Sequence, residues 1–467
     1  MKPELSPTLP SNQRASHQLF RIGLIALVGG TVLLCHRSPL QDGTLVVMGA
    51  AAIVLAAFPA LEWARKAKTY FPIFEMFMLT SIPFYAMPLL AGHSATIQFS
   101  EDATLQAATS LLLFQVVATV IFLGVRGRPS RNRALTGVLL PEKAVRYAIA
   151  GMWLNTIHIY LSGFTTIIPY DLRSIVRAAF FGIGTVSLFI ETRKWGAGTI
   201  NQQEKFVIAL NMFLQLVFLF RELYLIVGIS MLLLALFGYV SASRRLPIVF
   251  IALALPVIGI LHNGKSTMRA QYWSGRMPLP TIGEVPAFFE RWVEAGLAAA
   301  PEAKSQEPAG ITGRLFERAS LFQMLCLTTE RTPSFVPFLA GETYKDIPAQ
   351  IVPRILWPGK PSSLLSNLHL AIHYGLVDPN YPINVSIAFG MVAEAYANFG
   401  LIGCGILGAV LGFAYKRISL LADGAPQFSA LGLLTILLAA WSFQVEQVLA
   451  SWFVSLLQAA AVVIGVP

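Results

Sequence analysis

The stretch "LPIVFIALALPVIGILHNGKS", residues Leu246 to Ser266, contains two patterns with incompatible meanings. Its last eight residues, "GILHNGKS", fit the spacing G-x-x-x-x-G-K-[ST] of a phosphate-binding P-loop. Its first sixteen residues are uncharged and apolar, and they follow directly on Arg244 and Arg245. Such a run is typical of a helix that crosses a membrane, whereas a P-loop follows a short strand. We therefore predict a membrane helix here and no nucleotide-binding loop.

The composition of the whole chain points the same way. Of its 467 residues, 55% are hydrophobic and 12% are charged, and the mean hydropathy is +0.64. A soluble domain carries about 25% charged residues. We predict an all-α polytopic membrane protein of about 12 transmembrane helices. Their predicted starts lie near Leu19, Thr44, Tyr70, Thr104, Ala144, Leu172, Phe206, Leu223, Leu246, Ser386, Phe428 and Leu449.

Two of the predicted joints between helices are weak, so that about eleven spans is the alternative. The run from Phe206 to Ser243 must turn around Arg221 and Glu222 without Gly or Pro, and the last pair turns at 444–447. Lys and Arg collect in alternate loops, which predicts that both termini and those loops are cytoplasmic. The net charge of +10 is mostly this topological signal, so it does not indicate nucleic-acid binding.

The same pattern predicts a multi-pass membrane protein in three parts. Residues 1–262 form an N-terminal bundle of about nine spans, and residues 386–467 form about three more. Between spans nine and ten, residues 263–385 form one large loop domain on the outer side, which we expect to be an ordered lid.

Basic residues in and near this loop are candidates for binding an anion. Several stand four residues apart and so share a helix face, and others lie in a Pro-rich segment with a fixed backbone. They are Lys265, Arg269, Arg314, Arg318, Arg354 and Lys360, with Arg173, Arg177 and Arg221 at outer helix ends. For each, the alternative is a salt bridge that seals the bundle or an interfacial anchor.

His369 and His373 also stand four residues apart, but they form only half of a zinc-binding H-E-x-x-H motif. Leu370 occupies the position of the glutamate that would act as general base. We expect a structural histidine pair, or one histidine that accepts a proton near neutral pH, rather than a zinc site.

The segment from Asn384 to Arg417 is too long for one straight crossing. Its 34 residues would span about 51 Å as a helix, against a hydrocarbon core of about 30 Å. The part from Ser386 to Asn398 must therefore tilt, re-enter or stand above the membrane. Glu394 and Tyr396 are then expected at the outer interface. A carboxylate in such a segment is a functional candidate, and the alternative is that it pairs with an outer arginine.

Three stretches in order carry a family resemblance: "GKSTMRAQYW" (264–273), "PRILWPGKP" (353–361) and "NVSIAFGMVAEAYANFGLIG" (384–403). In a bundle of about a dozen spans, this order resembles the bacterial O-antigen and exopolysaccharide repeat-unit polymerases (Wzy-type). The resemblance covers mainly residues 246 to 412, with weaker similarity at 71–88. It implies a large outer loop that binds lipid-linked oligosaccharide, with outer arginines and a general base.

The resemblance implies a location in the bacterial inner membrane, with the large loop periplasmic. It also implies a metal-independent glycosyltransferase without a cofactor, acting on glycan linked to undecaprenyl pyrophosphate. Its expected partners are membrane lipid, a flippase and a chain-length regulator, with no nucleic acid and no nucleotide. The candidate catalytic residues are Glu394, His373, Arg269 and Arg354. The candidate substrate-binding residues are Lys265, Arg314, Arg318, Lys360, Arg173, Arg177, Arg221 and Tyr396.

Three other functions remain open from the sequence. An O-antigen ligase shares nearly all these features. A metal-dependent lipid-carrier glycosyltransferase would use outer carboxylates such as Glu101 and Asp102. A polysaccharide transporter or flippase would place broken helices and charges at mid-membrane, which the outer positions of the arginines disfavour.

Overall fold

The computed structural model describes residues 13–68, 70–91, 98–130, 132–139, 147–161, 170–223, 225–272, 277–278, 280–302, 320–352, 357, 359–361, 365–378 and 387–465. In these ranges the chain is helical, with one isolated β-bridge between Val138 and Ser429. The helices are α1 Gln13–His36, α2 Gly43–Arg65, α3 Ile73–Leu79, α4 Met87–Leu90, α5 Glu101–Gly124, α6 Arg133–Thr136, α7 Ala148–Leu161, α8 Tyr170–Ala197, α9 Gln202–Arg221, α10 Leu225–Ser243, α11 Ile248–Tyr272, α12 Val285–Glu302, α13 Leu321–Arg331, α14 Ile347–Ile351, α15 Leu365–His373, α16 Gly390–Leu421, α17 Ala430–Trp441 and α18 Leu449–Gly465. A π-helical turn, Ile82–Ala86, joins α3 to α4.

Among the described residues, eight helices are long and apolar enough to cross a membrane, which makes this a membrane protein. They are α1, α2, the segment Ile73–Leu90, α5, α9, α10, the segment Ile248–Lys265 and α16. Each of the twelve predicted spans contains a described helix. However, α17 has 12 residues, or about 18 Å of helix, against the roughly 30 Å of a hydrocarbon core. The count of twelve spans therefore stays a prediction.

The chain leaves the helical conformation at both of the uncertain turns predicted between helices. Helix α9 ends at Arg221 and α10 begins at Leu225, and Leu223 makes the turn with φ of 63°. Between α17 and α18, residues 442–448 form an irregular and largely buried segment. The chain therefore turns at both places without glycine or proline.

The chain divides into two compact units. The first contains residues 1–147, 166–186 and 320–467, and the second contains residues 148–165 and 187–319. The region predicted as one loop domain thus contributes α12 to the second unit and α13 to α15 to the first. Helix α11 continues to Tyr272, which is ten residues beyond the predicted end of the span at 262.

Close packing of α16 on α5 organises the first unit. A Cβ atom on Gly408 would lie 2.6 Å from the carbonyl oxygen of Phe114, and one on Gly412 would lie 2.4 Å from that of Ala118. Only glycine allows the two backbones to approach so closely, as is common between membrane helices. The closely packed helices α5 and α16 therefore support the residues in the first part of α16.

Helix α16 is folded back on itself at Phe399 and Gly400. Gly400 has φ of 60° and ψ of −145°, a conformation that is essentially restricted to glycine. The thiol of Cys404 lies 3.7 Å from the carbonyl oxygen of Val392, whereas twelve residues of continuous helix would separate them by about 18 Å. Residues 390–398 and 401–421 are therefore the two arms of a helical hairpin.

The two arms of this hairpin have different surroundings. Every residue from Gly390 to Asn398 is buried. The second arm exposes an apolar row formed by Ile402, Ile406, Val410 and Phe413. Such a row suits contact with lipid, while the first arm is enclosed by protein. Residues 390–398 therefore run back alongside the second arm, and the placement of residues 386–398 relative to the membrane stays a prediction.

Candidate functional site around the hairpin

Glu394 lies on the first arm with its side chain 0% exposed. The backbone N–H of Leu449, the first residue of α18, donates to its Oε2 at 2.6 Å. Helix N-termini leave such N–H groups without internal partners and favour a nearby negative charge. Oε1 has no hydrogen-bond partner among the described residues. Glu394 therefore caps the N-terminus of α18. Within the described residues it makes no ion pair with an arginine.

Residues 337–343, which we call the bridging loop, close the other end of the first arm. The N–H groups of Leu339 and Ala340 donate to the carbonyls of Ala397 and Asn398 at 3.0 and 3.1 Å. The last carbonyls of a helix have no hydrogen-bond donor within the helix, and the bridging loop supplies donors for these two. Two carbonyls at the end of the first arm are thus bonded by the bridging loop.

The side chain of Asn398 adds three bonds to this junction. Its Oδ1 accepts the N–H of Gly341 at 3.0 Å, and its Nδ2 donates to the Thr343 hydroxyl and to the carbonyl of Glu394, both at 2.8 Å. Asn398 was not predicted as a site residue. The only feature of the sequence that could have indicated its role is that Asn398 is the single amide side chain in an apolar run.

His373 is attached to the same bridging loop. Its Nε2 lies 3.0 Å from the carbonyl oxygen of Pro337. Because a carbonyl only accepts, Nε2 carries the proton, and Nδ1 is the acceptor. Burial lowers the pKa of His373 from its usual value, although the bond to Pro337 works in the opposite direction. At neutral pH the ring is therefore a neutral, oriented proton acceptor.

The structure thus brings together Glu394, His373 and Tyr396 around the bridging loop. The Tyr396 ring is 1% exposed and packs near that of Phe338, with centroids 6.3 Å apart. Lys360 is also buried, and its ammonium donates to the carbonyls of Gln350 and Val352 at 3.2 and 2.6 Å. These bonds give Lys360 a structural role, and its predicted role in substrate binding stays a prediction.

Of the predicted basic residues that the structure describes, three belong to the second unit. Arg269 donates from Nη2 to the carbonyl of Leu223 at 2.9 Å and so holds the turn between α9 and α10. Arg221, at the same turn, is 8% exposed, and its Nε has no hydrogen-bond partner among the described residues. Lys265 lies one helical turn before Arg269 on α11 and is half-buried. The turn therefore combines Arg221 and Arg269 with the acidic Glu222.

The other predicted residues are less informative. Arg177 is exposed on α8. Arg314, Arg318 and Arg354 lie outside the described residues, as does the side chain of Arg173. Their predicted roles stay predictions.

The P-loop pattern has no structural counterpart. Residues Gly259 to Ser266 are helical throughout, so their N–H groups are not arranged as a cradle for phosphate. A Cβ atom on Gly264 would lie 2.6 Å from the carbonyl oxygen of Trp292 in α12. Gly264 therefore serves helix packing, and the prediction that this stretch belongs to a helix is confirmed.

A second buried carboxylate escaped the sequence prediction. Glu75, in α3, is 2% exposed, and the Tyr70 hydroxyl donates to its Oε1 at 2.7 Å. Lys68 in turn donates to the Tyr70 hydroxyl oxygen at 3.4 Å. The signal was present, because Glu75 is the one charged residue in the apolar run "FPIFEMFMLT" at 71–80. Within the described residues, no group of three His, Cys, Asp or Glu side chains is placed to hold a metal ion.

The fold and the hairpin define an α-helical polytopic membrane protein with a buried helix break. The sequence profile of the family "Domain of unknown function (DUF8712)" matches residues 72–445, and the chain belongs to this family. The match includes the hairpin, the bridging loop and His373. No curated protein and no solved structure matches the chain.

Proposed function

We propose that this protein is a polysaccharide polymerase of the bacterial inner membrane. It would transfer a glycan from undecaprenyl pyrophosphate to an incoming lipid-linked repeat unit at the periplasmic face. The observation that carries the proposal is His373, a neutral imidazole whose Nε2 is held by the Pro337 carbonyl beside the hairpin. The resemblance of residues 246 to 412 to repeat-unit polymerases supplies the substrate class.

In this reaction the hydroxyl oxygen of the acceptor sugar attacks the anomeric carbon of the donor glycan. The bond from that carbon to the pyrophosphate oxygen breaks, and the pyrophosphate leaves with the electron pair. Nδ1 of His373 takes the proton from the hydroxyl, a step that contributes typically 10²–10⁴-fold. Glu394 is assigned a positioning role, because its carboxylate is enclosed and bonded to Leu449.

The leaving pyrophosphate requires fixed positive charge, which guanidinium groups supply well because of their forked geometry. Three of the candidates from the sequence that the structure describes are Arg221, Arg269 and Lys265. They belong to the second unit, whereas His373 belongs to the first, and their role at the pyrophosphate stays a prediction. The predicted group also includes Arg314, Arg318 and Arg354, which lie outside the described residues. Arginine can neutralise the leaving group without a metal, so activity is expected to persist in chelator. A loss that a divalent cation restores would favour the metal-dependent alternative.

A transporter or flippase is the second candidate, and one observation favours it. The break at Phe399 and Gly400 beside a buried carboxylate is a feature of transporters with discontinuous helices. The predicted outer positions of the arginines disfavour this function. The bridging loop encloses the C-terminal end of the first arm, and residues 390–398 are all buried.

The decisive experiment is deletion of the gene followed by analysis of the lipid-linked glycans. A polymerase predicts accumulation of single, unpolymerised repeat units exposed to the periplasm. Finished polymer that remains on the lipid carrier would instead identify a ligase. Repeat units retained on the cytoplasmic face would identify a flippase, and an unchanged glycan profile would overturn all three.

A further inference from the structure

Two exposed phenylalanine rings cover the turn of the hairpin. Phe338 is 39% exposed and Phe399 is 44% exposed. A Cβ atom on Gly400 would lie 3.2 Å from Cζ of Phe338, and one on Gly341 would lie 3.2 Å from Cζ of Phe399. Each ring therefore packs against the glycine of the opposite segment. We call these two rings the aromatic platform.

The platform is held in place from beneath. The ring of Tyr344 stacks on Phe399 with centroids 6.4 Å apart, and Tyr396 supports Phe338 at 6.3 Å. The bridging loop that carries Phe338 is bonded to the first arm through Ala397 and Asn398. A ligand that binds these rings consequently has little side-chain and loop freedom to restrict, which favours affinity.

The platform also adjoins the proposed base. The carbonyl that holds His373 belongs to Pro337, the residue directly before Phe338. Neighbouring Cα atoms are about 3.8 Å apart, so the platform and the imidazole share one short segment. Any group bound on Phe338 is therefore close to His373.

Charged side chains border the platform. Glu342 and Lys345 form an exposed ion pair at the end of the bridging loop, and Lys345 lowers the pKa of the Glu342 carboxyl. Glu342 also lies within electrostatic range of His369. An apolar surface with a charged rim matches a sugar ring, which has an apolar face of C–H groups and an edge of hydroxyls.

The geometry points to an acceptor subsite in which a pyranose ring of the incoming lipid-linked saccharide stacks on Phe338 and Phe399. This inference rests on the proposed function and names the part of the substrate that the hairpin turn binds. The C–H groups of a sugar face carry partial positive charge, and they are attracted to the negative faces of aromatic rings. The stacked sugar presents its hydroxyls toward the side on which His373 lies.

The competing occupant is the bilayer, because aromatic residues also anchor proteins at membrane interfaces. The two occupants differ in what they require. A bilayer accepts any large apolar side chain, whereas stacking on a sugar requires a flat ring. Leucine and tyrosine in place of phenylalanine therefore separate them.

The test uses the full chain reconstituted in vesicles of phosphatidylethanolamine and phosphatidylglycerol. The probe is the lipid-linked repeat unit that accumulates in the deletion strain. Elongation is measured against acceptor concentration for Phe338→Leu, Phe338→Tyr and Phe399→Leu. Phe413→Leu is the matched control, because Phe413 is 51% exposed in the apolar row of the second arm.

Both leucine variants at the platform are expected to raise the acceptor KM about five- to tenfold, with kcat changed less than about twofold. Phe338→Tyr keeps a flat ring and should raise the acceptor KM less than Phe338→Leu does. Phe413→Leu should match the wild type. Wild-type kinetics for Phe338→Leu and Phe399→Leu would overturn the subsite and favour membrane anchoring. Should Phe338→Leu fold poorly, Phe399→Leu and Phe338→Tyr decide the question. A wild-type protein that does not elongate the probe would overturn the proposed function, and with it the subsite.

Discussion

The N–H of Leu449 donates to the Glu394 carboxylate at 2.6 Å, which links the buried arm of the hairpin to the first residue of the last helix. The two residues are 55 positions apart in the sequence. The carboxylate stands at a helix N-terminus, where negative charge is favoured. Glu394 thereby fixes the position of the arm that carries Tyr396 and Asn398. Glu394 can therefore be assigned either a positioning role through this contact or a catalytic role.

Replacement of Glu394 should distinguish these two roles. Glu394→Gln retains an oxygen that accepts from Leu449, so we expect most of the activity and stability to remain. Glu394→Ala leaves the Leu449 N–H without this partner, and the free energy of unfolding should fall by about 1–3 kcal/mol. Thermal unfolding in detergent and glycan elongation measure the two effects. Complete loss of elongation in a stable Glu394→Gln protein would instead identify Glu394 as the base.

Replacement of Gly400 should destabilise the hairpin. A residue with a Cβ that adopts its φ of 60° and ψ of −145° costs about 1–3 kcal/mol of folding free energy. The added Cβ would also lie too close to the Phe338 ring. Gly400→Ala is therefore expected to lower the yield of folded protein and its thermal midpoint. Gly405→Ala is the matched control, because there the new atom meets only Leu113 at 3.8 Å. Equal stability of the two variants would argue against the folded-back hairpin.

The pH dependence of elongation should report on His373. Burial places its pKa below the usual 6.5, and only the neutral ring accepts a proton. The value of kcat/KM should thus be constant through neutral pH and fall as the pH drops through that lowered pKa, with a midpoint below pH 6.5. His373→Gln should lose about 10²–10⁴-fold in kcat and abolish this acid limb.

His369→Gln is the control for the pH experiment, since it removes the neighbouring imidazole and leaves the Pro337 contact intact. It should retain the acid limb. A midpoint above pH 7, or an acid limb that persists in His373→Gln, would assign the base to another group.

Arg269→Ala should affect folding as well as activity. The variant removes a charged donor from the Leu223 carbonyl, and such a bond contributes about 1.5–3 kcal/mol. We expect a lower thermal midpoint and faster proteolysis near the α9–α10 turn. Arg245→Ala, which removes an exposed side chain of the same unit, should leave both unchanged. If Arg269→Ala has the same thermal midpoint as the wild type, the bond to Leu223 does not stabilise the fold, and only the predicted role of Arg269 in substrate binding is left.

Local sequence patterns anticipated much of the helical structure. The turn at Arg221 and Glu222 and the turn at 444–447 were placed correctly, because polar residues interrupt the apolar runs there. The segment 384–417 was recognised as too long for one crossing. Its return at Gly400 could not be chosen from the sequence, because a tilted or a protruding helix has the same composition.

The candidate site was anticipated only in part. His373 and Glu394 were both proposed as bases, yet the sequence contains nothing that assigns His373 to the Pro337 carbonyl or Glu394 to Leu449. Glu75 and Asn398 were missed, although each interrupts an apolar run. The bond from Arg269 to Leu223 was not foreseen, and the predicted role of Arg269 at the pyrophosphate stays a prediction.

The sequence by itself determined the helical membrane class and the approximate positions of the helices. These depend on local properties: in lipid every backbone polar group must be bonded within a helix, and apolar runs of sufficient length satisfy that requirement. Only the tertiary structure decided that α16 folds back and that the bridging loop caps its first arm. It also decided which nitrogen of His373 is free to accept a proton. Each of these depends on partners far apart in the chain, whose meeting is set by the packing of glycines, rings and carbonyls rather than by any local pattern.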